Sequence, residues 1–114
     1  MKEKTHLHIL WTNDNPITAE KMVFMYGING ILQEWWEKVT IIVWGAPAKL
    51  VSENPEIQMK IQEAIDTGVK ITACKACTDQ LNVTKHLEKM NIEVKYWGKP
   101  LTDLLKNGDP LLTV

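Results

Sequence analysis

The chain has 114 residues and a formal net charge of −1 at pH 7, and its 13 basic residues are all lysine. A chain of this size forms one domain with a core that needs no disulfide or metal, since domains of ~100–150 residues bury about two-thirds of their unfolded surface. Its charge provides no basic field for a phosphate backbone, and no apolar run reaches the ~18–20 residues that cross a bilayer. We expect a single domain over residues 1–114 with no nucleic-acid partner and no membrane span.

The N-terminal stretch from Met1 to His6 is charged and is not followed by the apolar segment and small-residue cleavage site of a signal peptide. The chain has only two cysteines, Cys74 and Cys77. A structural disulfide is not expected in a reducing compartment. These features predict a cytoplasmic protein.

Short apolar runs alternate with longer segments of helical period, which is typical of strands joined by crossover helices. The predicted class is therefore α/β with a five-stranded parallel sheet. The second run is continuously apolar and indicates a central strand, whereas Lys70 and Thr72 interrupt the third. The predicted strands are Leu7–Thr12, Val39–Trp44, Val69–Cys74, Ile92–Trp97 and Leu111–Val114.

The first predicted helix runs from Pro16 to Trp36, with Asn15 as its cap. Gly27 and Gly30 lie inside it, and each weakens a helix by roughly 1 kcal/mol relative to Ala, so we expect a compensating close approach to the sheet or to a neighbouring subunit.

Three more helical segments follow a turn at residues 45–47. Each has an identifiable stop signal, because Gly and Asn adopt the left-handed conformation that ends a helix. The predicted segments are Glu56–Asp66 ending at Gly68, Lys75–Met90 with a break at Asn82 and a cap at Thr84, and Pro100–Lys106 ending at Asn107-Gly108.

The carboxyl ends of parallel strands meet at one edge of the sheet, where ligands bind in open α/β folds. Three tryptophans and both cysteines fall at this edge, and the tryptophans either wall a small cleft or plug the end of the core. The candidate ligand-binding residues are Trp11, Thr12, Asn13, Asp14, Trp44, Gly45, Lys75 and Trp97.

The candidate catalytic residues are Cys74 and Cys77. Cys74 ends a strand and begins a helix, so the helix dipole and the adjacent Lys75 favour its thiolate, which is the nucleophilic form. Cys77 lies one turn further along and can act as a resolving thiol. The alternative is that Cys74 is a small buried apolar residue.

Other sites for this cysteine pair are less well supported. A thioredoxin-like dithiol is expected early in its domain, whereas this pair follows three strands. A zinc site needs four ligands, and His6, His8 and His86 lie at the other end of a strand or along a helix. No glycine-rich phosphate loop is present. We expect no metal and no cofactor.

Four segments together resemble the DsrE/DsrF-like sulfur-relay proteins over nearly the whole chain. They are ILWTNDNP, VWGAPAKL, residues 63–74 and residues 96–103. In that family a cysteine at the end of the third strand carries sulfur as a persulfide, and Cys74 has this position. The resemblance implies a three-layer α/β/α fold, strand order 3-2-1-4-5 and ring-like homo-oligomers, commonly trimers or hexamers.

The chain departs from this family at two points. Sulfur-transferring members have a basic, Arg-containing helix after the cysteine, whereas this chain has Gln80-Leu81 and no arginine. Cys77 adds a second thiol, and Asn82-Val83 stands where Gly-Val is expected. The docking surface for a sulfur donor must therefore differ.

The leading hypothesis is a small sulfur-relay protein in which the Cys74 thiolate accepts sulfane sulfur from a donor protein and passes it to an acceptor. A non-catalytic oligomeric binding or assembly module and a dithiol redox protein using Cys74 and Cys77 are the alternatives. Candidates for subunit contacts are Met25, Tyr26, Trp35 and Trp36, which can equally pack against the sheet.

Overall fold

The computed structural model describes residues 4–114 and contains a five-stranded, all-parallel sheet flanked by helices. This confirms the predicted α/β class and its three-layer arrangement. The strands are β1 (His6–Trp11), β2 (Lys38–Val43), β3 (Lys70–Cys74), β4 (Glu93–Lys95) and β5 (Leu111–Thr113). The first three residues of the N-terminal stretch, where no signal peptide is expected, lie outside the described residues.

The strand order is β4-β3-β2-β1-β5. The central order β3-β2-β1 and the edge position of β5 agree with the order 3-2-1-4-5, but the placement of β4 between β1 and β5 is wrong, because β4 pairs with β3. The polar residues of β3 explain the difference. The Thr72 hydroxyl donates to the Glu93 carbonyl oxygen at 2.8 Å, and Lys70 pairs with the Glu93 carboxylate at 3.4 Å. Lys70 and Thr72 therefore hold β4 against β3, and their polar side chains do not indicate that β3 is an edge strand.

The helices are α1 (Pro16–Thr18), α2 (Met25–Leu32), α3 (Ala46–Glu53), α4 (Pro55–Thr67), α5 (Lys75–Gln80), α6 (Thr84–Lys89) and α7 (Gly98–Lys106). A π-helical stretch (Ala19–Phe24) joins α1 to α2, so residues 16–32 form one continuous helical segment. The Asn15 side chain caps its start, as expected.

This first helical segment ends at Leu32, four residues before the predicted end at Trp36. Glu34 adopts a positive φ of 58°, which breaks the helix. The expected close approach of both glycines to the sheet is confirmed. A Cβ atom added at Gly27 would lie 3.4 Å from the Ile41 side chain, and one at Gly30 would lie 3.4 Å from Val39.

The three later helical predictions hold, with two corrections. The residues expected to form a turn begin the helix α3, in which Pro47 occupies the first turn, where its missing N–H costs no hydrogen bond. Asn82 has a φ of 60° and separates α5 from α6, as expected. Thr84 does not cap α6, because its hydroxyl bonds to Thr78 and Asp79.

The sheet buries two apolar clusters, one on each face. On the first face, alternate strand residues such as Leu7, Ile9 and Ile41 pack under the first helical segment, α3, α4 and α6. On the second face, the buried cluster comprises Ile42, Cys74 and Trp97, with partly buried side chains of α7 against it. The cysteine thus belongs to the smaller of the two clusters.

Candidate functional site

A cleft of about 280 Å³ lies beyond the carboxyl ends of β2 and β3. It is bordered by the loop after β1, the start of α3 and the helix α5. Its lining residues are Asp14, Gly45, Ala46, Lys49, Cys77, Gln80 and Leu81. The cleft therefore brings together three of the predicted site residues, namely Asp14, Gly45 and Cys77.

Cys74 lies beneath this cleft, at the junction of β3 and α5, where it is the residue that precedes the first turn of the helix. Its side chain is only 4% exposed and packs with Ile42 and Trp97. A donor molecule therefore has little direct access to its sulfur.

Cys77 is half-buried and lines the cleft, so it is the more accessible of the two thiols. It packs against the buried cluster that contains Cys74. Burial is the largest cause that raises the pKa of Cys77, contact with Cys74 raises it further, and the Gly45 N–H lowers it. The two cysteines form a contiguous dithiol that opens into the cleft through Cys77.

The side chain of Lys75 is directed to another partner. Its ammonium group donates to the Asp79 carboxylate at 2.7 Å, and this hydrogen bond is the main reason that the pKa of Lys75 is raised. It also lies 5.5 Å from the centre of the Tyr96 ring. The positive charge expected to favour a Cys74 thiolate is thus already paired one helical turn away.

Comparison with known proteins shows a relative but no function. No family model matches the sequence, and no curated protein matches it. A solved structure of a conserved protein of unknown function, BT1422 from Bacteroides thetaiotaomicron, is 39% identical, with 96% of this chain and 95% of that chain covered and a TM-score of 0.94. The chain belongs to the same family as BT1422. The fold described above is therefore that of the BT1422 family.

The three tryptophans at the sheet edge do not share one role in this member of the BT1422 family. Trp11 is fully buried in the first cluster, with its ring 5.4 Å from Phe24 in an edge-to-face arrangement, so the prediction that it can wall the cleft is wrong. Strand alternation is the reason, because Trp11 shares a face with Leu7 and Ile9. Trp44 is half-buried against the second cluster.

Trp97 plugs the second cluster and does not line the cleft. Its indole N–H donates to the Thr72 hydroxyl at 2.8 Å, and the Lys95 ammonium lies 4.7 Å from the centre of its ring. In this BT1422 relative, Trp97 therefore has the core-plugging role considered for the tryptophans.

The loop after β1 mainly organises the backbone. Thr12 donates its hydroxyl hydrogen to the carbonyl oxygen of Val114, and Asn13 accepts from the backbone N–H of Asn15. Only Asp14, which is exposed, borders the cleft. The first two residues therefore have structural roles, and the third remains a candidate for ligand contact.

Sequence reasoning missed the residues that α3 and the end of α5 contribute, namely Ala46, Lys49, Gln80 and Leu81. Lys49 is exposed and supplies a positive charge beside the cleft. The helical spacing from Ala46 to Lys49 was the available signal, since residues three apart lie on one face of a helix. This helical spacing was missed because residues 45–47 were predicted to form a turn.

Membrane-spanning helices and clustered metal ligands are both missing from residues 4–114. Within that range, no helix is long and apolar enough to cross a membrane. The same residues contain no group of three or more His, Cys, Asp or Glu side chains arranged to hold a metal ion.

Proposed function

We propose that this protein is a small sulfur carrier in which the Cys74–Cys77 pair accepts sulfane sulfur and holds it as a persulfide. The observation that carries the proposal is the contact between a buried thiol at a helix start and a second thiol that opens into a cleft. The likeness of several segments to sulfur-relay proteins is consistent with this chemistry.

Sulfur enters at Cys77 because Cys77 is the exposed thiol of the pair. Its thiolate attacks the outer sulfur of a donor persulfide R–S–SH, a new S–S bond forms on Cys77, and the donor leaves as R–S⁻. The number of disulfide-type bonds is unchanged, so the step needs no oxidant. The Gly45 N–H stabilises negative charge on the Cys77 sulfur during the attack.

Cys74 then serves as the holding position. Its thiolate attacks the outer sulfur of the Cys77 persulfide, which transfers that sulfur and restores the Cys77 thiolate. The sulfur on Cys74 is shielded from water by Ile42 and Trp97. This assignment keeps Cys74 as the carrier and makes Cys77 the relay between carrier and cleft.

We propose further that the protein is cytoplasmic and forms a homo-oligomer, a trimer or hexamer. Both cysteines are free thiols, which suits a reducing compartment. Met25 and Trp35 are 49% and 59% exposed, which favours a contact surface on the first helical segment and the turn after it. Tyr26 and Trp36 are joined by a hydrogen bond of 3.2 Å and pack against the core, so they support that surface from beneath.

A dithiol redox protein is the second candidate, favoured by the packing of the two free thiols in one cluster. In this reaction the Cys77 thiolate attacks a disulfide substrate and releases one thiolate. Cys74 then attacks the Cys77 sulfur and releases the other. The protein pair is oxidised to a disulfide, and the substrate is reduced to two thiols.

Intact-mass measurement after incubation with an inorganic polysulfide separates these functions. The carrier gains the mass of one sulfur atom, Cys74→Ser loads sulfur that is lost faster to added thiol, and Cys77→Ser loads slowly. Cys74→Ser/Cys77→Ser provides the unreactive baseline. A loss of two hydrogens without sulfur gain supports the redox protein, and an inert wild type refutes both and favours the assembly module.

Sedimentation velocity tests the oligomer independently of the thiol chemistry. The wild type is expected to sediment as a trimer or hexamer at micromolar concentration, and Trp35→Lys is expected to dissociate it. Leu105→Lys is the matched control, because Leu105 is equally exposed, at 61%, but lies on α7. A monomeric wild type would overturn the oligomer.

A further inference from the structure

A second cavity, of about 400 Å³, lies at the opposite edge of the sheet from the two cysteines. Its walls are the start of β1, where His6 and His8 lie, the α7 residue Leu104, and Asp109 in the loop before β5. The sulfur-carrier proposal uses none of these residues. Any ligand of this cavity is therefore independent of that function.

His8, one of the residues that line the cavity, has a buried ring nitrogen without a hydrogen-bond partner. His8 is only 8% exposed, and its Nδ1 atom makes no hydrogen bond to any group within residues 4–114. The His6 ring stacks on that of His8 with centroids 4.1 Å apart, and His6 Nε2 bonds to the Thr40 hydroxyl at 2.8 Å. Leaving a buried polar atom unsatisfied costs about 1–3 kcal/mol, so a ligand atom that bonds to Nδ1 would gain a comparable free energy.

The charges around the two rings are mostly positive. The groups that act on them are Lys38 of β2, Lys70 of β3, Lys95 of β4 and Asp109. At the rim, the Lys4 ammonium pairs with the Asp109 carboxylate at 2.9 Å, with side-chain exposures of 51% and 29%. Such an exposed pair is worth only ~0–1 kcal/mol, so an incoming anion can take Lys4 from Asp109.

The chemistry of the cavity favours an anion over a metal cation. Stacked imidazoles do not converge on one point, and residues 4–114 hold no set of three potential metal ligands here. A neutral imidazole nitrogen can donate in one tautomer, and an ammonium group donates to any oxyanion. A small anionic group is therefore the ligand that matches both donors.

We propose that this cavity binds a compact oxyanion, a carboxylate or a phosphate, through His8 Nδ1 and the Lys4 ammonium group. Its volume also accommodates a small organic body attached to the anion. Bound negative charge stabilises the protonated form of His8, so by linkage the anion binds more tightly as the pH falls.

Proton NMR of the imidazole C–H groups tests this site directly. The protein is titrated with sodium acetate and, separately, with sodium phosphate, and sodium chloride keeps the ionic strength constant. Saturable shifts of His8 and His6 are expected, while the exposed His86 stays unchanged. Saturation with acetate alone identifies a carboxylate site, and saturation with phosphate alone identifies a phosphate site.

Variants make the assignment specific. Lys4→Met is expected to weaken binding about tenfold or more, as for loss of a charge-assisted hydrogen bond. Lys21→Met, an exposed lysine on the first helical segment, should leave binding unchanged. The site would be overturned if sodium chloride alone shifted the His8 signals as much as acetate or phosphate does. It would also be overturned if neither Lys4→Met nor His8→Phe changed the affinity for the anion.

Discussion

Acidification should destabilise the protein through His8, whose surroundings strongly oppose protonation. The pKa of His8 falls from its ordinary 6.5 to about 4, chiefly because the ring is buried, and because His6 and two lysines lie nearby. The unfolded chain therefore takes up a proton at a higher pH than the folded protein does. Stability is complete above pH 6.5 and is lost progressively as the pH falls toward 4.

The size of the effect follows from how far the pKa of His8 falls on folding. A tenfold change in proton affinity corresponds to about 1.4 kcal/mol, so a fall of the pKa from 6.5 to about 4 sets an upper limit of roughly 3 kcal/mol. Water at the cavity mouth reduces this value, and we expect on the order of 2 kcal/mol. That is a large share of the ~5–15 kcal/mol that stabilises a typical domain.

Urea unfolding of wild type and His8→Phe, followed across this pH range, is the appropriate assay. Phe keeps a ring against His6 and Trp97 but cannot titrate, so its free energy of unfolding should fall less with acid than that of wild type. His86→Gln removes an exposed imidazole and should retain the wild-type dependence. The carboxylates titrate in all three proteins, so their contribution cancels when the pH dependences of the free energy of unfolding are compared.

An identical pH dependence in wild type and His8→Phe would refute the reasoning. A residual slope in His8→Phe is expected from His6, whose pKa is also lowered, mainly by burial. If His86→Gln lost the pH dependence of the free energy of unfolding, that dependence could not be assigned to His8 in the cavity.

Two further predictions concern the thiols and the first helical segment. Cys74→Ala removes the contact that, after burial, raises the pKa of Cys77, so the alkylation rate of Cys77 should rise at lower pH than in wild type; an unchanged pH profile would contradict the contact. Gly27→Ala should stabilise the protein by up to about 1 kcal/mol in thermal unfolding, because its nearest new contact is 3.4 Å. Gly30→Ala should not stabilise the protein, because a Cβ atom added there would lie 3.2 Å from the Trp36 ring. Equal gains in thermal stability for the two variants would contradict this packing.

Much of the sheet could be predicted because buried parallel strands need apolar runs on both faces. The run from Val39 to Trp44 overlaps the strand β2 over residues 39–43, and β2 is the central strand. The pairing of β4 could not be predicted in the same way. Its three residues carry little apolar signal, and the Thr72 hydroxyl that attaches β4 looks in sequence like a mark of solvent exposure.

The edge of the sheet at which the two cysteines lie could be predicted from the sequence, but which of them is exposed could not. Both cysteines lie where the sequence places them, yet Cys74 is buried and Cys77 reaches the cleft. The spacing of two residues in a helix start does not reveal which side chain points outward. Strand alternation, in contrast, could have assigned Trp11 to the face of Leu7 and Ile9, a signal that the prediction of Trp11 as a cleft residue overlooked.

The difference between the two faces of the sheet explains why chemistry-bearing residues gather on one of them. A single helix is about 10 Å wide and covers about two strands that are ~4.8 Å apart, so α7 alone cannot seal the second face. Side chains must therefore cover the rest of the second face, so polar groups buried on that face lie close to the solvent. Buried His8, Thr40 and Thr72 all alternate toward this face, as does Cys74. The thin second layer thus leaves room for the imidazole cavity at one edge, while the dithiol opens into its cleft at the other.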